Sequence, residues 1–348
     1  MRILIATTHV PFVYGGAEAH AIGLQVALQA AGHEAEIIAV PFKWYPPEKI
    51  LDHLLACRLL DVTEFNGVKI DRVIGLKFPV YLVPHPNKVV WILHQHRTAY
   101  ELWDHPLADL IYQPNGLQVR DAIRQADTNL LPEAQAIYAN SGNVAQRLKY
   151  YCNLDAKPLY HPPPNAEKFY CAQAEDYLFF PSRLCEPKRQ KLVLQALSRT
   201  REPVCVRFAG TPDNPAFERE LAALTAKLKL KNRVEWLGPI SEDEKLHQYA
   251  HALGIVYPPV DEDYGYVTLE AMLSSKPMIT CTDSGGPLEF VRPQENGLVA
   301  APQPDSLAEA FDMLWQNRAR AAQWGVQGRE FYASLNITWP AVVRTLLS

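Results

Sequence analysis

Residues 254–272 read GIVYPPVDEDYGYVTLEAM and contain the parts of one strand–loop–helix unit. The apolar run 254–257 predicts a buried strand, which Pro258 and Pro259 end, and the apolar spacing after Tyr266 predicts a helix. A strand that passes through a short polar loop into a helix is the repeating unit of parallel α/β sheets. The stretch therefore predicts an α/β fold, with its polar loop at the carboxyl end of a strand, where such folds bind ligands.

The same alternation of short apolar runs and helical patterns recurs on both sides of this unit. Further strands are predicted at 2–7, 34–40, 88–93 and 137–140 in the first half, and at 177–181, 204–209, 233–237 and 278–281 in the second. Their apolar residues are continuous rather than alternating, as in sheets that helices cover on both faces. Residues 41–87 are interrupted by prolines and receive no assignment.

The segment 160–165, YHPPPN, separates the two halves. Three consecutive prolines can continue neither a helix nor a central strand, so they form a stiff extended connection, the alternative being a loop within one domain. We predict two Rossmann-like, doubly wound domains over residues 1–164 and 165–330 that face a central cleft, followed by a terminal segment 331–348. The cleft is the default ligand site in this arrangement.

Composition and charge exclude several functional classes. The 348 residues are 48% hydrophobic and carry a formal net charge of -4, so nucleic-acid binding through a basic surface is not expected. No apolar run approaches the ~18–20 residues of a membrane-spanning helix, and the start MRILIA enters a strand without a signal-peptide pattern. The 6 cysteines form no C-x-x-C pair and are interpreted as reduced thiols of a cytoplasmic protein.

The loop and helix start at 261–272 could bind a sugar nucleotide. Gly265 lets the backbone approach a ligand closely, and the amides of Tyr266 and Val267 would point at an anion. Glu270 can accept two hydrogen bonds from a vicinal diol such as a ribose, and Glu262 could hold sugar hydroxyls. The alternative is that the loop acids are surface charges and that Glu270 interacts favourably with the helix dipole.

A second cluster, SRLCEPKRQ at 182–190, directly follows a predicted strand. Arg183 and Lys188 could converge on a diphosphate, whose departure develops negative charge that must be stabilised. Alternatively, these basic residues only begin a solvated helix, although the helix dipole disfavours cations at that position.

The first half offers two further candidates at strand ends. Gly15 and Gly16 lie between the first strand and the first helix, where they allow close approach of a ligand or simply form a turn. They are not part of a G-x-G-x-x-G motif, and no acid follows the strand 34–40, which disfavours a dinucleotide dehydrogenase. His94 follows the strand 88–93, where it could hydrogen-bond a substrate, ligate a metal or serve the structure.

Taken together, these residues resemble the retaining glycosyltransferases of family 4, which have the GT-B fold. The E-x7-E pair Glu262/Glu270 and the five-residue separation of Arg183 and Lys188 match the motifs of that family. The resemblance implies transfer of a hexosyl group from a UDP- or GDP-sugar to a glycan or lipid-linked acceptor hydroxyl, with retention of anomeric configuration. It implies no metal and no cofactor beyond the nucleotide-sugar co-substrate, and a role in bacterial-type cell-surface glycan or glycolipid biosynthesis.

The resemblance also implies roles for the domains and for single residues. Residues 1–164 would bind the acceptor, residues 165–330 the donor, and the last helix within 331–348 would cross back to the N-terminal domain. The implied catalytic residues are Arg183, Lys188, Glu262 and His94. The implied donor-binding residues are Gly15, Gly16, Gly210, Gly238, Pro239, Ile240, Tyr264, Gly265, Tyr266, Val267 and Glu270.

The sequence departs from the family pattern at two places. Ser182 and Arg189 stand where the family usually has glycine, so we expect an additional cation at the diphosphate site. The usual E-G-F-G appears here as EDYG at 262–265, which makes the expected sugar pocket more acidic and more polar.

Other functions stay open at this point. Asp261 and Asp263 could form a D-x-D metal site of a different glycosyltransferase architecture. A sugar-nucleotide epimerase, a phosphorylase or a non-catalytic sugar-nucleotide-binding protein would also use parts of this pattern. Residues 42–45 and 50–60 are a candidate patch for peripheral contact with the inner face of a membrane, the alternative being an ordinary amphipathic helix that faces its own core.

Overall fold

The computed structural model describes residues 1–348, which divide into two units. One unit comprises Met1–Pro164 together with Thr338–Ser348, and the other comprises Asn165–Ile337.

The first unit is built around a parallel sheet. Its elements up to the proline segment are β1 (Arg2–His9), α1 (Gly16–Ala30), β2 (Glu34–Pro41), α2 (Glu48–Leu59), β3 (Glu64–Phe65), β4 (Val68–Lys69), β5 (Arg72–Gly75), β6 (Lys88–Ile92), α3 (Gly116–Leu130), β7 (Ala136–Ala139), α4 (Gly142–Cys152) and β8 (Lys157–Pro158). The strand order is β2-β1-β5-β6-β7-β8, and β3 and β4 form a separate two-stranded sheet. The strand order reverses between β1 and β5, so the loops that follow these two strands diverge there.

The second unit contains another parallel sheet with helices between its strands. Its elements are β9 (Leu178–Pro181), α5 (Gln190–Leu197), β10 (Val206–Ala209), α6 (Pro215–Lys227), β11 (Val234–Gly238), α7 (Glu242–His251), β12 (Gly254–Val256), α8 (Tyr266–Leu273), β13 (Met278–Cys281), β14 (Gly297–Ala300), α9 (Pro304–Gln316) and α10 (Arg318–Ser334). The strand order is β11-β10-β9-β12-β13-β14. Numbered within this unit the order is 3-2-1-4-5-6, that of a dinucleotide-binding Rossmann sheet.

Strand β9 shows why these sequences form a sheet with two covered faces. Leu178, Phe179 and Phe180 are all fully buried. Phe180 belongs to the apolar cluster with α5, α6 and α9, whereas Phe179 contacts the cluster of α7 and α8 on the opposite face. Successive strand residues point to opposite faces, so a continuous apolar run requires apolar helices on both. The predicted α/β class with doubly wound parallel sheets is confirmed.

The terminal segment differs from the prediction in its boundary. Helix α10 continues to Ser334 within the second unit, and the first unit resumes at Thr338 rather than at residue 331. The reason is local, since the Thr338 side chain accepts a hydrogen bond from the Ala341 amide and begins α11 (Trp339–Leu347). A Cβ atom at Gly23 would lie 2.5 Å from Cζ2 of Trp339, so α11 packs directly on α1.

The unassigned residues 41–87 contain α2, the β3–β4 hairpin and β5. Helix α2 buries Ile50, Leu54 and Cys57 against the core of its own unit, as in the alternative to the membrane patch, while Leu55 and Leu59 stay exposed. None of the helices has the length and apolar character needed to span a bilayer. Peripheral membrane contact stays a prediction.

Candidate active site

The topological switch point of the second unit places two of the predicted loops side by side. Strands β9 and β12 are neighbours in the sheet, but the chain leaves their carboxyl ends toward different sides. The loop after β9 contains Lys188, and the loop after β12 contains Glu262. A backbone hydrogen bond of 2.8 Å from the Val260 amide to the Pro187 carbonyl joins the two loops.

Lys188, Tyr257 and Glu262 form one hydrogen-bonded triangle. The Lys188 ammonium donates to the Tyr257 hydroxyl at 2.6 Å and to Oε2 of Glu262, while the Tyr257 hydroxyl donates to the same Oε2 at 2.9 Å. Burial, followed by the charge of Glu262, raises the pKa of Tyr257 well above its ordinary value, which keeps the hydroxyl protonated. An ammonium group has three donors, so two are used here and a third can reach an anion.

The same tyrosine connects this triangle to the start of α8. A Cβ atom at Gly265 would lie 3.4 Å from Cε1 of Tyr257, and Gly265 has a φ of +81°, which favours glycine. Gly265 is the N-cap of α8 and has no side chain to bind the first amides of the helix. The structure therefore brings Lys188, Glu262 and the amino end of α8 together.

The loop that carries Glu262 is held by its backbone. The Glu262 amide donates to the Ser284 carbonyl at 2.9 Å, and the Gly286 amide donates to the Glu262 carbonyl at 2.7 Å. Next to it, the Tyr264 side chain is only 5% exposed, and its ring lies 5.7 Å from that of Tyr266. The predicted pocket residue Tyr264 thus packs beside the helix start.

Glu270 lies one turn into α8 and is 6% exposed. Tyr249 donates its hydroxyl to Oε2 of Glu270 at 2.5 Å, and Lys245 donates to Oε1 at 3.1 Å. Both donors are on α7. The carboxylate is therefore oriented before any ligand binds.

The two arginines of the second cluster have acidic partners that the sequence did not reveal. Arg183 forms an ion pair with Asp213 at 2.9 Å, and its side chain is 54% exposed. Arg189 binds Asp283 through two hydrogen bonds of 2.7 and 2.6 Å. Arg189, which was expected to supply an additional cation, is therefore paired with an acid before any ligand binds, and its backbone is left-handed (φ +60°).

The predicted donor-binding glycines of β10 and β11 meet at the ends of these strands. The Gly210 amide donates to the Gly238 carbonyl at 2.8 Å. A Cβ atom at Gly210 would lie 2.0 Å from the Ser182 carbonyl oxygen, so only glycine fits. Pro239 and Ile240 then connect Gly238 to α7.

In the first unit, the predicted residues also lie at the carboxyl ends of strands. Gly15 is the N-cap of α1, Gly16 is its first residue, and the Gly15 amide donates to Oε2 of Glu18 at 2.8 Å. His94 follows β6, is partly buried and has its Nδ1 atom 2.7 Å from the Gln95 carbonyl oxygen.

A buried carboxylate that contacts Gln95, the residue after His94, escaped the sequence analysis. Asp127 is fully buried on α3 and accepts hydrogen bonds from Tyr81 at 3.0 Å, Tyr100 at 2.8 Å and Gln95 at 2.9 Å. Burial raises the pKa of Asp127 to about 6, although these hydrogen bonds act in the opposite direction. No local pattern marks an aspartate inside an amphipathic helix as buried.

This carboxylate makes stability depend on pH. Because its pKa is 3.8 when unfolded and about 6 when folded, its contribution is complete below pH 3.8 and is lost as the pH rises through 6. We expect the stability advantage of the wild type over Asp127→Asn to fall by roughly 3 kcal/mol between pH 4 and pH 7. Denaturant titrations at several pH values measure this difference in the free energy of unfolding, with Asp121→Asn on the exposed face of α3 as the control. An advantage that does not change with pH would contradict the account.

Comparison with known proteins shows which protein family the second unit resembles. Residues 166–331 match the family model of the glycosyl transferases group 1, just under half of the chain and nearly all of the second unit. A stretch of 121 residues is 29% identical to the alpha-1,3/1,6-mannosyltransferase ALG2 of Dictyostelium discoideum and covers 35% of this chain and 29% of that protein. A longer match of 295 residues is 24% identical to the D-inositol 3-phosphate glycosyltransferase of Corynebacterium diphtheriae and covers 75% of this chain and 67% of that protein.

Solved structures match over nearly the whole chain. The sucrose-phosphate synthase of Thermosynechococcus elongatus superposes with a TM-score of 0.79 at 17% identity, covering 99% of this chain and 97% of that one. HepE of Anabaena, solved in complex with UDP and glucose, has a TM-score of 0.71 at 16% identity and coverage of 99% and 98%. The chain therefore has the GT-B fold, and nearly all of its second unit matches the family model of the glycosyl transferases group 1. The chain spans less than a third of the ALG2 protein that it matches.

Proposed function

We propose that the protein is a retaining glycosyltransferase that moves a hexosyl group from a UDP- or GDP-sugar to an acceptor hydroxyl. The observation that carries the proposal is the convergence of Lys188, Glu262 and the amino end of α8 at the switch point of a Rossmann sheet. A leaving diphosphate needs a cation and oriented amides, and this corner supplies both.

The proposed roles follow from the contacts. Lys188 uses its remaining donor on the diphosphate, and the amides of Tyr266 and Val267 bind it at the positive end of the helix dipole. Glu262, held by Lys188 and Tyr257, orients hydroxyl groups of the donor sugar. Arg183 is half exposed, so it can exchange Asp213 for a phosphate at low cost.

Glu270 would accept hydrogen bonds from the ribose of the nucleotide, since its carboxylate is already fixed. The backbone at Gly238, Pro239 and Ile240 is proposed to bind the base, with Gly210 and Tyr264 completing the donor site. Base recognition through backbone groups fits either uracil or guanine.

In the first unit, His94 is proposed to contact the donor sugar or the acceptor near the reacting carbon, and the loop at Gly15 and Gly16 is proposed to approach the bound substrates. The proposed acceptor is a glycan or a lipid-linked sugar. In the proposed front-face route, an oxygen of the leaving phosphate takes the proton of the acceptor hydroxyl. The bond from the anomeric carbon to that phosphate breaks and the new bond forms on the same face, so no enzyme base is required.

Metal independence is part of the proposal. The positive charge of Lys188 and the helix amides would serve in place of the cation that stabilises diphosphates elsewhere.

The proposal is tested by incubating the protein with a panel of UDP- and GDP-sugars and simple glycoside acceptors. We expect one donor to raise the melting temperature, turnover that EDTA leaves unchanged, and a product with the anomeric configuration of the donor. Inversion of configuration, or loss of activity in EDTA, would contradict the mechanism. Conversion of the sugar nucleotide in the absence of an acceptor would indicate an epimerase. Turnover that depends on phosphate would indicate a phosphorylase, and tight binding without turnover would indicate a binding protein.

A further inference from the structure

The carboxylate of Glu270 is held in place from a different helix. Lys245 and Tyr249 are four residues apart on α7, so both side chains lie on one face of that helix. One donates to each oxygen of the Glu270 carboxylate, at 3.1 Å from Lys245 and 2.5 Å from Tyr249. The contact therefore joins α7 to α8 through a single carboxylate.

The two donors are themselves fixed by packing. Tyr249 is fully buried, with its ring 5.6 Å from that of Phe169 and 5.2 Å from that of Phe179. The Lys245 ammonium lies 5.5 Å from the centre of the Phe169 ring and 3.0 Å from Glu242. These contacts restrict the positions of both donors, so the orientation of Glu270 is set before a ligand arrives.

The electrostatic environment keeps both Lys245 and Tyr249 protonated. Burial lowers the pKa of Lys245, but the charges of Glu270 and Glu242 outweigh this effect and raise it overall. Burial and then the charge of Glu270 raise the pKa of Tyr249 well above its ordinary value. Both groups thus stay protonated and donate to the carboxylate.

Lys245 and Tyr249 occupy about half of the hydrogen-bonding positions of the Glu270 carboxylate. A carboxylate has about four lone-pair positions, and Lys245 and Tyr249 occupy one on each oxygen. One position per oxygen remains, which is the pattern that accepts two neighbouring hydroxyl groups at once. A buried ion pair is poor evidence that its residues serve stability alone, because apolar residues of similar size often replace such pairs without loss of stability.

We propose that Lys245 and Tyr249 are positioning residues that orient Glu270 for a vicinal diol and so determine selectivity for a ribonucleotide. The inference rests on the proposed function, in which Glu270 binds the ribose. Helix α7 begins directly after Gly238, Pro239 and Ile240, so the helix that would orient the ribose acceptor starts at the loop proposed to bind the base.

The test measures the ratio of two affinities within each variant, so that a general loss of stability cancels. The probes are UDP and GDP and their 2′,3′-dideoxy counterparts, titrated calorimetrically into the wild type, Lys245→Met, Tyr249→Phe and the control Lys227→Met, an exposed lysine on α6. We expect the wild type to prefer the ribonucleotide at least about 10²-fold, the value of two hydrogen bonds to a charged group. We expect this preference to fall about 10-fold in Lys245→Met, several-fold in Tyr249→Phe and not at all in the control.

The outcomes separate the inference from the proposed function. A wild type that binds neither UDP nor GDP overturns both. A wild type that binds one of them without preferring the ribose form overturns the role of Glu270 and the inference with it. A preference that both α7 variants retain in full overturns the inference alone.

Discussion

Replacing Lys188 by alanine is expected to lower kcat by at least about 10²-fold, while the KM for the donor changes little. The lost ammonium is one of the donors that stabilise the negative charge of the departing diphosphate, and removal of one such donor costs a factor of this size. Its effect is expected mainly in kcat, because the donor already carries two negative charges on its diphosphate and the additional charge develops as the glycosidic bond breaks. Steady-state kinetics with the identified donor measures it.

Lys188 also neutralises Glu262, so a structural role must be distinguished from a catalytic one. If the lysine only balanced that carboxylate, the double variant Lys188→Ala/Glu262→Gln would turn over as fast as Glu262→Gln alone. We expect the double variant to be far slower than Glu262→Gln, since the diphosphate would still lack its cation. Lys191→Ala, three residues further along and paired with Glu186 and Glu220, is the matched control and should keep full activity.

Replacing Glu270 by alanine is expected to raise the KM for the donor about 10²-fold and to leave kcat within a few-fold. Each hydrogen bond to a charged group contributes about 1.5–3 kcal/mol, and two such bonds to the ribose would be lost. The ribose does not react, so this binding energy is the same in the ground state and the transition state. Kinetics over a wide range of donor concentrations separates the two constants.

The variant should still fold, because Glu242 remains 3.0 Å from the Lys245 ammonium and neutralises it. Glu235→Ala removes a surface ion pair with Arg207 in the same unit and is the control for loss of one glutamate. A KM that stays at the wild-type value would exclude Glu270 from the donor site.

The sequence predicted the strands whose apolar runs are uninterrupted, because burial on both faces leaves a continuous pattern. It missed β5, which has only four residues and lies among the prolines of 41–87. Its apolar core, Val73 and Ile74, is too short to be distinguished from a buried turn. Strand β14 was missed for the same reason, because only three apolar residues follow Gly297 within it.

The candidate site also contains residues whose proximity the sequence could predict and residues whose proximity it could not. Lys188, Glu262 and Gly265 lie on loops after predicted strands, and strand ends of a parallel sheet share one edge, so their proximity could be anticipated. Side-chain partners far apart in the chain could not. Tyr257 looked like the last residue of a strand, and its hydroxyl becomes part of the site only because β9 and β12 are neighbours.

Pairing of charges was equally invisible in the sequence. Arg189 was expected to add a cation, but Asp283 lies 94 residues later and reaches it through the fold. Lys245 and Tyr249 likewise meet Glu270 only because α7 and α8 cover the same face of the sheet. A lysine and a tyrosine four residues apart on a helix are common, and nothing in the pattern assigns them to a carboxylate on the next helix.

The most direct test of the diphosphate site is a calorimetric titration of the wild type and Lys188→Ala with UDP and GDP and with the corresponding monophosphates. If Lys188 and the amino end of α8 bind the second phosphate, the wild type will bind the diphosphate at least about 10-fold more tightly than the monophosphate, and Lys188→Ala will lose most of that difference. Equal affinities for the two forms in the wild type, or an undiminished preference in Lys188→Ala, would contradict the account.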